Sequence, residues 1–315
     1  MTEIPPHLPR PGTLSVVVPL YCEAAHLAST IREILGVLGE LEMVYELILV
    51  DDGSPDGTWQ IIEEQSRFSP GIEGIRLSRN FGKEAALAAG LEQATGDAIV
   101  VMDGDLQHPP ALIATLVQRW REGAEVVEAI KHQRGAESAL QRLRAKFFYA
   151  LFTRLAGYDL RGASDFKLMD RRVLDAWRSM GERNLFFRGM NAWLGFKRVQ
   201  IPFDVPARVD GASGWSVLQL TRLAMTAITA FSSAPLQIIT LTGAGFVVFA
   251  LLLGIQTVYL KIAGRAVDGF TTVIVLLLVI GGILMLALGI IGTYIARIYE
   301  EVKGRPRYIV SERIK

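Results

Sequence analysis

YELILVDDGSPDGTWQIIEEQSRF, residues 45–68, is the stretch from which the fold can be read. Tyr45 to Val50 is a short apolar run of strand length, and it stops abruptly at Asp51-Asp52-Gly53-Ser54. Asp56-Gly57 then supplies turn and cap signals, and Thr58 to Phe68 carries helical spacing. The same strand–helix unit recurs on both sides. Leu14 to Leu20 reads as a strand and about Ala25 to Leu41 as a helix. Ile75 to Ser78 is a short strand, followed by an Ala- and Leu-rich helix from Gly82 to Ala94. Ala98 to Met102 is a strand ending in Asp103-Gly104-Asp105; Pro109-Pro110 opens a helix to about Trp120, and Val126 to Ile130 is one more strand. Strands alternating with helices predict an α/β fold, a mostly parallel sheet with helices on both faces. Ligands of such sheets bind outside the carboxyl ends of the strands, where both acidic clusters fall.

The chain has 315 residues, 50% of them hydrophobic, and the apolar excess is concentrated in its last quarter. Leu236 to Leu260 is 25 residues without a charge and Phe270 to Ala296 is 27. A helix needs roughly 20 apolar residues to cross a bilayer, so each stretch predicts a span. The turn between them carries Lys261 and Arg265, whereas the segment after them carries Arg297, Lys303, Arg305, Arg307, Arg313 and Lys315. This bias predicts a hairpin with the C-terminus, and hence the N-terminal domain, in the cytoplasm. Met1 to Thr13 lacks the apolar core of a signal peptide, and the single cysteine, Cys22, excludes an intrachain disulfide. A net charge of +1 gives no field for nucleic acid. Gly281, Gly282, Gly289 and Gly292 in the second span permit close helix approach, which favours a homo-oligomer.

Asp103-Gly104-Asp105 presents two carboxylates at a strand end, with Gln107 as a further oxygen. Hard oxygen ligands of this kind suit Mg²⁺ or Mn²⁺, which take the rest of their ligands from water and substrate phosphates. Asp51-Asp52 has the same placement and can accept hydrogen bonds from a base or ribose. Arg79, Asn80 and Lys83 flank the helix start at Gly82, where backbone N–H groups and the helix dipole suggest a diphosphate cradle.

Taken in order, VVVPLYCEA (16–24), DDGSPDGT (51–58), RNFGKEAAL (79–87) and VMDGDLQHPP (101–110) resemble the family 2 glycosyltransferases of GT-A, Rossmann-like fold. More narrowly, the chain is similar to the polyprenyl-phosphate type: dolichol-phosphate mannose synthases and bactoprenol glucosyltransferases with a C-terminal two-helix anchor. The resemblance runs from about residue 13 to 310. It implies inverting, metal-dependent transfer of a hexose from a nucleotide sugar, UDP-glucose favoured over GDP-mannose, to a polyprenyl phosphate such as undecaprenyl phosphate. It places Pro19, Tyr21, Glu23 and Asp52 in the nucleotide pocket, with Arg79 and Lys83 toward the donor. Asp103, Asp105 and Gln107 would hold Mg²⁺ or Mn²⁺ and the diphosphate. In GASDFKLMDRR (162–172), Asp165 becomes the acceptor-side carboxylate; its other reading is a cap before a helix over Phe166 to Arg178. Lys131, Arg134, Arg208 and Ser213 would face the acceptor phosphate, while Gly214 stands where relatives carry a lysine.

The implied organisation is an extension over 1–12, a catalytic domain over 13–210 and a juxtamembrane amphipathic helix over 211–232. Two transmembrane helices within 233–298 and a basic cytoplasmic tail over 299–315 complete it, in the inner membrane of the cell. Leu140 to Gly157 interleaves Arg142, Arg144, Lys146 and Arg154 with aromatic residues, a pattern suited to an anionic membrane surface. A processive polysaccharide synthase fits less well, because Gln118-Arg119-Trp120 lacks the spacers of its Gln-x-x-Arg-Trp motif. A non-catalytic sugar-nucleotide scaffold would not need the intact acidic clusters.

Overall fold

A computed structural model describes residues 12–104, 108–131, 164–182, 187–203, 234–264 and 269–315. The first elements alternate as the sequence predicts: β1 (Leu14–Leu20), α1 (Leu27–Gly39), β2 (Tyr45–Asp51), α2 (Thr58–Phe68), β3 (Ile72–Leu77), α3 (Lys83–Gln93), β4 (Ala98–Val101), α4 (Leu112–Arg121) and β5 (Val126–Lys131). They are followed by β6 (Lys167–Asp170), α5 (Arg171–Ser179), α6 (Phe187–Trp193) and β7 (Arg198–Phe203). Two long helices, α7 (Ala234–Ile262) and α8 (Phe270–Val302), precede a last strand, β8 (Val310–Ile314).

The strands form one sheet in the order β7-β5-β6-β4-β1-β2-β3-β8. All seven residues of β1 are buried, which is why it reads as an unbroken apolar run rather than an alternation. Val16, Val18 and Leu20 join Ile31 and Ile34 of α1 and Ile113 and Leu116 of α4 in the main core. Val17, on the opposite face, supports α3 so closely that a Cβ at Gly90 would lie 2.4 Å from its Cγ1. β1 pairs in parallel with β2 on one side and β4 on the other. The strand order therefore diverges at β1, and such a switch point opens a crevice at the strand ends.

Three antiparallel pairings depart from the repeating pattern. β6 inserts between β4 and β5 and runs against both. A helix over Phe166 to Arg178 is thus corrected: residues 167–170 are a strand, and the helix cap is Asp170, which accepts from the Arg172 amide at 3.0 Å. The sequence hides this strand because one of its four residues is a lysine. Lys167 is fully buried and bonds Glu128, its register partner on β5, at 2.9 Å. The third pairing, β8 on β3, takes in the segment read from sequence only as a basic tail. Glu312 of β8 accepts from Trp59 Nε1 at 3.2 Å and from Arg76 at 2.8 Å, so its end is fastened to α2 and β3.

The chain divides into two compact units, residues 1–216 with 306–315, and residues 217–305. The second contains α7 and α8, both long and apolar enough to cross a membrane, with mean hydropathy of 2.4 over Leu236–Ile262 and 2.2 over Val279–Val302. Their large apolar side chains, such as Leu251, Ile255, Leu286 and Ile295, are exposed, as lipid-facing residues would be. The amphipathic stretches 140–157 and 211–232 and the departure at Gly214 lie outside the described residues.

Candidate active site

Pro19, Tyr21, Glu23, Asp52, Lys83 and Asp103, all named from the sequence, line one cleft of about 350 Å³ at the carboxyl ends of β1, β2 and β4. Asn80, Gly82 and Gly104 complete its polar wall. Gly104 permits the tight turn after β4, since a Cβ there would meet Leu20 Cδ2 at 2.4 Å.

The DDGSPDGT segment works largely as a clamp on the neighbouring loop. Three consecutive amides are taken by its side chains: Cys22 donates to Ser54 Oγ at 3.0 Å, Glu23 to Thr58 Oγ1 at 3.1 Å and Ala24 to Asp56 at 3.3 Å. This holds Cys22 in a left-handed conformation, φ 57°, and sets Tyr21 and Glu23 in the cleft wall. Gly53 is also left-handed, φ 67°, and lies so close to Arg79 that a Cβ would meet its backbone at 2.5 Å.

Asp52 grips the loop before α3. Its two carboxylate oxygens accept from the Phe81 and Gly82 amides, each at 2.8 Å. Of the backbone N–H groups at the start of α3, those of Phe81 and Gly82 point to Asp52, because a buried carboxylate needs donors. Burial still pushes the Asp52 carboxyl upward, against the pull of those two bonds. Arg79 lies beside the cleft, not in it, donating to the Asn80 carbonyl at 2.9 Å with its guanidinium 4.0 Å above the Phe81 ring.

Lys83, the first residue of α3, joins two carboxylates from separate strand ends. Its Nζ lies 2.6 Å from Asp103 Oδ1 and 2.8 Å from Asp165 Oδ2. Arg188 of α6 grips Asp165 through both oxygens, each at 2.7 Å. Burial alone would raise the Asp165 carboxyl, but the bonds and charge of Arg188 and Lys83 hold it far below the usual carboxylate range. Asp165 is thus a fixed anion and a weak base. Glu84, next to Lys83, accepts from the Phe187 amide at 2.8 Å and so secures the start of α6, from which Arg188 projects. Burial, with a contribution from Asp165, raises its carboxyl to about 7. His108 lies 3.9 Å from Asp103 and packs between Phe166 and Phe203.

Arg188, Glu84 and the Glu128–Lys167 pair escaped the sequence reading. Arg188 follows Asp165 by 23 residues on a different element, and nothing in that spacing announces the contact. Asp105, Gln107, Arg134, Arg208 and Ser213 lie outside the described residues, and of Lys131 only the backbone at the end of β5 is described.

The model of glycosyl transferase family 2 matches residues 15–177. An uncharacterised glycosyltransferase of Synechocystis sp. is 38% identical over 95% of this chain and 95% of its own length. The bactoprenol glucosyl transferase of Shigella phage SfX is 35% identical over 95% of this chain and 99% of its own. Among solved structures, the mannosyl-3-phosphoglycerate synthase of Rubrobacter xylanophilus aligns over 69% of this chain and 72% of its own, at 19% identity and a TM-score of 0.48.

Proposed function

The chain belongs to glycosyl transferase family 2 and is a glycosyltransferase, and from that premise we propose that it moves glucose from UDP-glucose to a polyprenyl phosphate at a membrane surface. The observation that carries this reading is the single ammonium of Lys83 between Asp103 and Asp165. A donor-side and an acceptor-side carboxylate converge there at the mouth of one cleft. Relatives named bactoprenol glucosyl transferase support the sugar and the lipid acceptor.

In this reading the loop clamped by Ser54, Asp56 and Thr58 receives the nucleoside, and Asp52 fixes the start of α3 beneath the diphosphate. Asp103, with Asp105 and Gln107, supplies hard oxygen ligands for a divalent cation, and the ammonium already drawn to Asp103 marks a position that favours positive charge. Held there, a cation would supply charge neutralisation for the leaving diphosphate. The acceptor needs little help in losing a proton, since the second pKa of a phosphate monoester is about 6. That matches Asp165, whose firmly ionised carboxylate can orient the acceptor with Arg188 but makes a poor base. Attack in line, with inversion at the anomeric carbon, then depends on positioning and charge stabilisation.

The membrane arrangement follows from the same reading. The chain leaves the first unit after residue 216 and returns at 306 to pair β8 with β3. An even number of crossings satisfies that connection, and the excess of Lys and Arg after α8 puts the catalytic unit in the cytoplasm.

The test is transfer of labelled sugar into a lipid extract, screening UDP- and GDP-sugars against undecaprenyl phosphate. UDP-glucose should label the lipid, and EDTA or Asp105→Ala should abolish labelling. Undiminished transfer in EDTA would remove the metal from the reaction; labelling only with another donor would replace the sugar.

A further inference from the structure

The two carboxylates on Lys83 are not equally provided for. Asp165 has Arg188 on both oxygens in addition to Lys83. Asp103 has Lys83 at 2.6 Å and His108 only at 3.9 Å, so the ammonium is its close counter-charge. The backbone beneath Lys83 is rigid, since Asp52 holds the Phe81 and Gly82 amides. At the other end of α3, Arg178 donates to the carbonyls of Leu91 and Ala94, and Arg171 to that of Ala94. The Lys83 side chain is 43% exposed in the cleft, so its ammonium has room to reach another partner while its Cα stays in place.

A divalent cation of the size of Mg²⁺ binds carboxylate oxygen at about 2.0–2.1 Å. An ammonium on Asp103 would then face a doubly charged ion across a single carboxylate, a strongly repulsive arrangement in a partly desolvated cleft. We propose that Lys83 is the resident counter-ion of Asp103, displaced when a divalent cation enters, and that its ammonium then stays on Asp165 and turns to the donor diphosphate. The proposal rests on the metal reading given above. It makes Lys83 an occupant of the cation position before the donor arrives and a phosphate ligand afterwards. It also accounts for the double hold on Asp165, which loses no partner as Lys83 changes its own.

The measurement is Mn²⁺ binding to the detergent-solubilised full chain, followed by electron paramagnetic resonance without any donor, with helix content checked by circular dichroism. Lys83→Met should bind Mn²⁺ on the order of tenfold more tightly than wild type, about 1.4 kcal/mol. Lys83→Arg keeps a cation in place and should stay near wild type. Arg79→Met removes a nearby charge that does not touch Asp103 and should change affinity less than about twofold, as expected of a screened charge. Adding UDP should shrink or reverse the Lys83→Met advantage, because the wild-type ammonium then has a diphosphate to bind. Equal or weaker Mn²⁺ binding by Lys83→Met would overturn the proposal. So would a gain in Arg79→Met or Lys83→Arg as large as that in Lys83→Met, or an advantage untouched by UDP. Asp103→Asn separates the two levels: it should weaken Mn²⁺ binding at least about tenfold, and unchanged binding would refute the metal reading of Asp103 itself.

Discussion

Replacing Glu84 with Gln tests the electrostatics of the site through stability. Glu84 lies partly buried at the head of α3, accepting the Phe187 amide at 2.8 Å, and its carboxyl is raised from 4.5 to about 7. Burial is the main cause; the Asp165 charge adds to it, while the Phe187 bond, Lys83 and Arg188 work against it. An acid raised in the folded state stabilises the fold fully below its unfolded value of 4.5, and that contribution disappears as the pH climbs through about 7. A change of this size is worth about 3 kcal/mol in full, of which roughly 2–3 kcal/mol falls between pH 5 and pH 8.5. Glutamine keeps a carbonyl for the Phe187 amide and never ionises, so the substitution isolates the charge. The full-length chain in detergent should be melted by scanning fluorimetry across that pH range. At pH 8.5 the variant should melt about 6 °C above wild type, taking roughly 2 °C per kcal/mol for a chain of this size, and the gap should narrow to about a degree or two at pH 5. A gap that does not change with pH, or a variant less stable at pH 8.5, would refute the assignment of a buried, ionising Glu84.

Lys167→Met should destabilise the catalytic unit by about 3 kcal/mol, because it takes the hydrogen-bonded partner from the buried Glu128 carboxylate and leaves Arg198 at 3.9 Å, whereas the double change Glu128→Leu with Lys167→Met should recover most of that loss. Urea midpoints of the three proteins decide it, and a double variant no better than the single one would exclude charge stranding as the cause. Thr58→Val removes the acceptor for the Glu23 amide and should raise the KM for the sugar nucleotide about tenfold with kcat little changed, as a bond of 1–2 kcal/mol would imply. A kcat loss at unaltered KM would place the 22–24 loop outside ground-state donor binding.

The legibility of this chain varied with the range of the forces involved. Leu14–Leu20, Leu47–Asp51 and Ala98–Val101 are buried on both faces, so short apolar runs and the turn residues after them suffice to locate them. Parallel pairing, the acidic strand ends and two uncharged stretches longer than a bilayer are likewise local patterns. Asp52 and Asp103 could be named in advance because they follow strand ends and Lys83 because it opens a helix, whereas Pro19, Tyr21 and Glu23 were named through the family resemblance. β6 and β8 were not legible, since Lys167 is tolerated only opposite Glu128 and Glu312 only against Arg76 and Trp59, partners distant in sequence. The charge state of the site was decided at the same level. Sequence alone established a family 2 glycosyltransferase pattern with carboxylates at strand ends. Only the tertiary structure put Arg188 on both oxygens of Asp165 and Lys83 between Asp165 and Asp103, because Coulomb attraction and desolvation depend on distance and burial, which residue order does not encode.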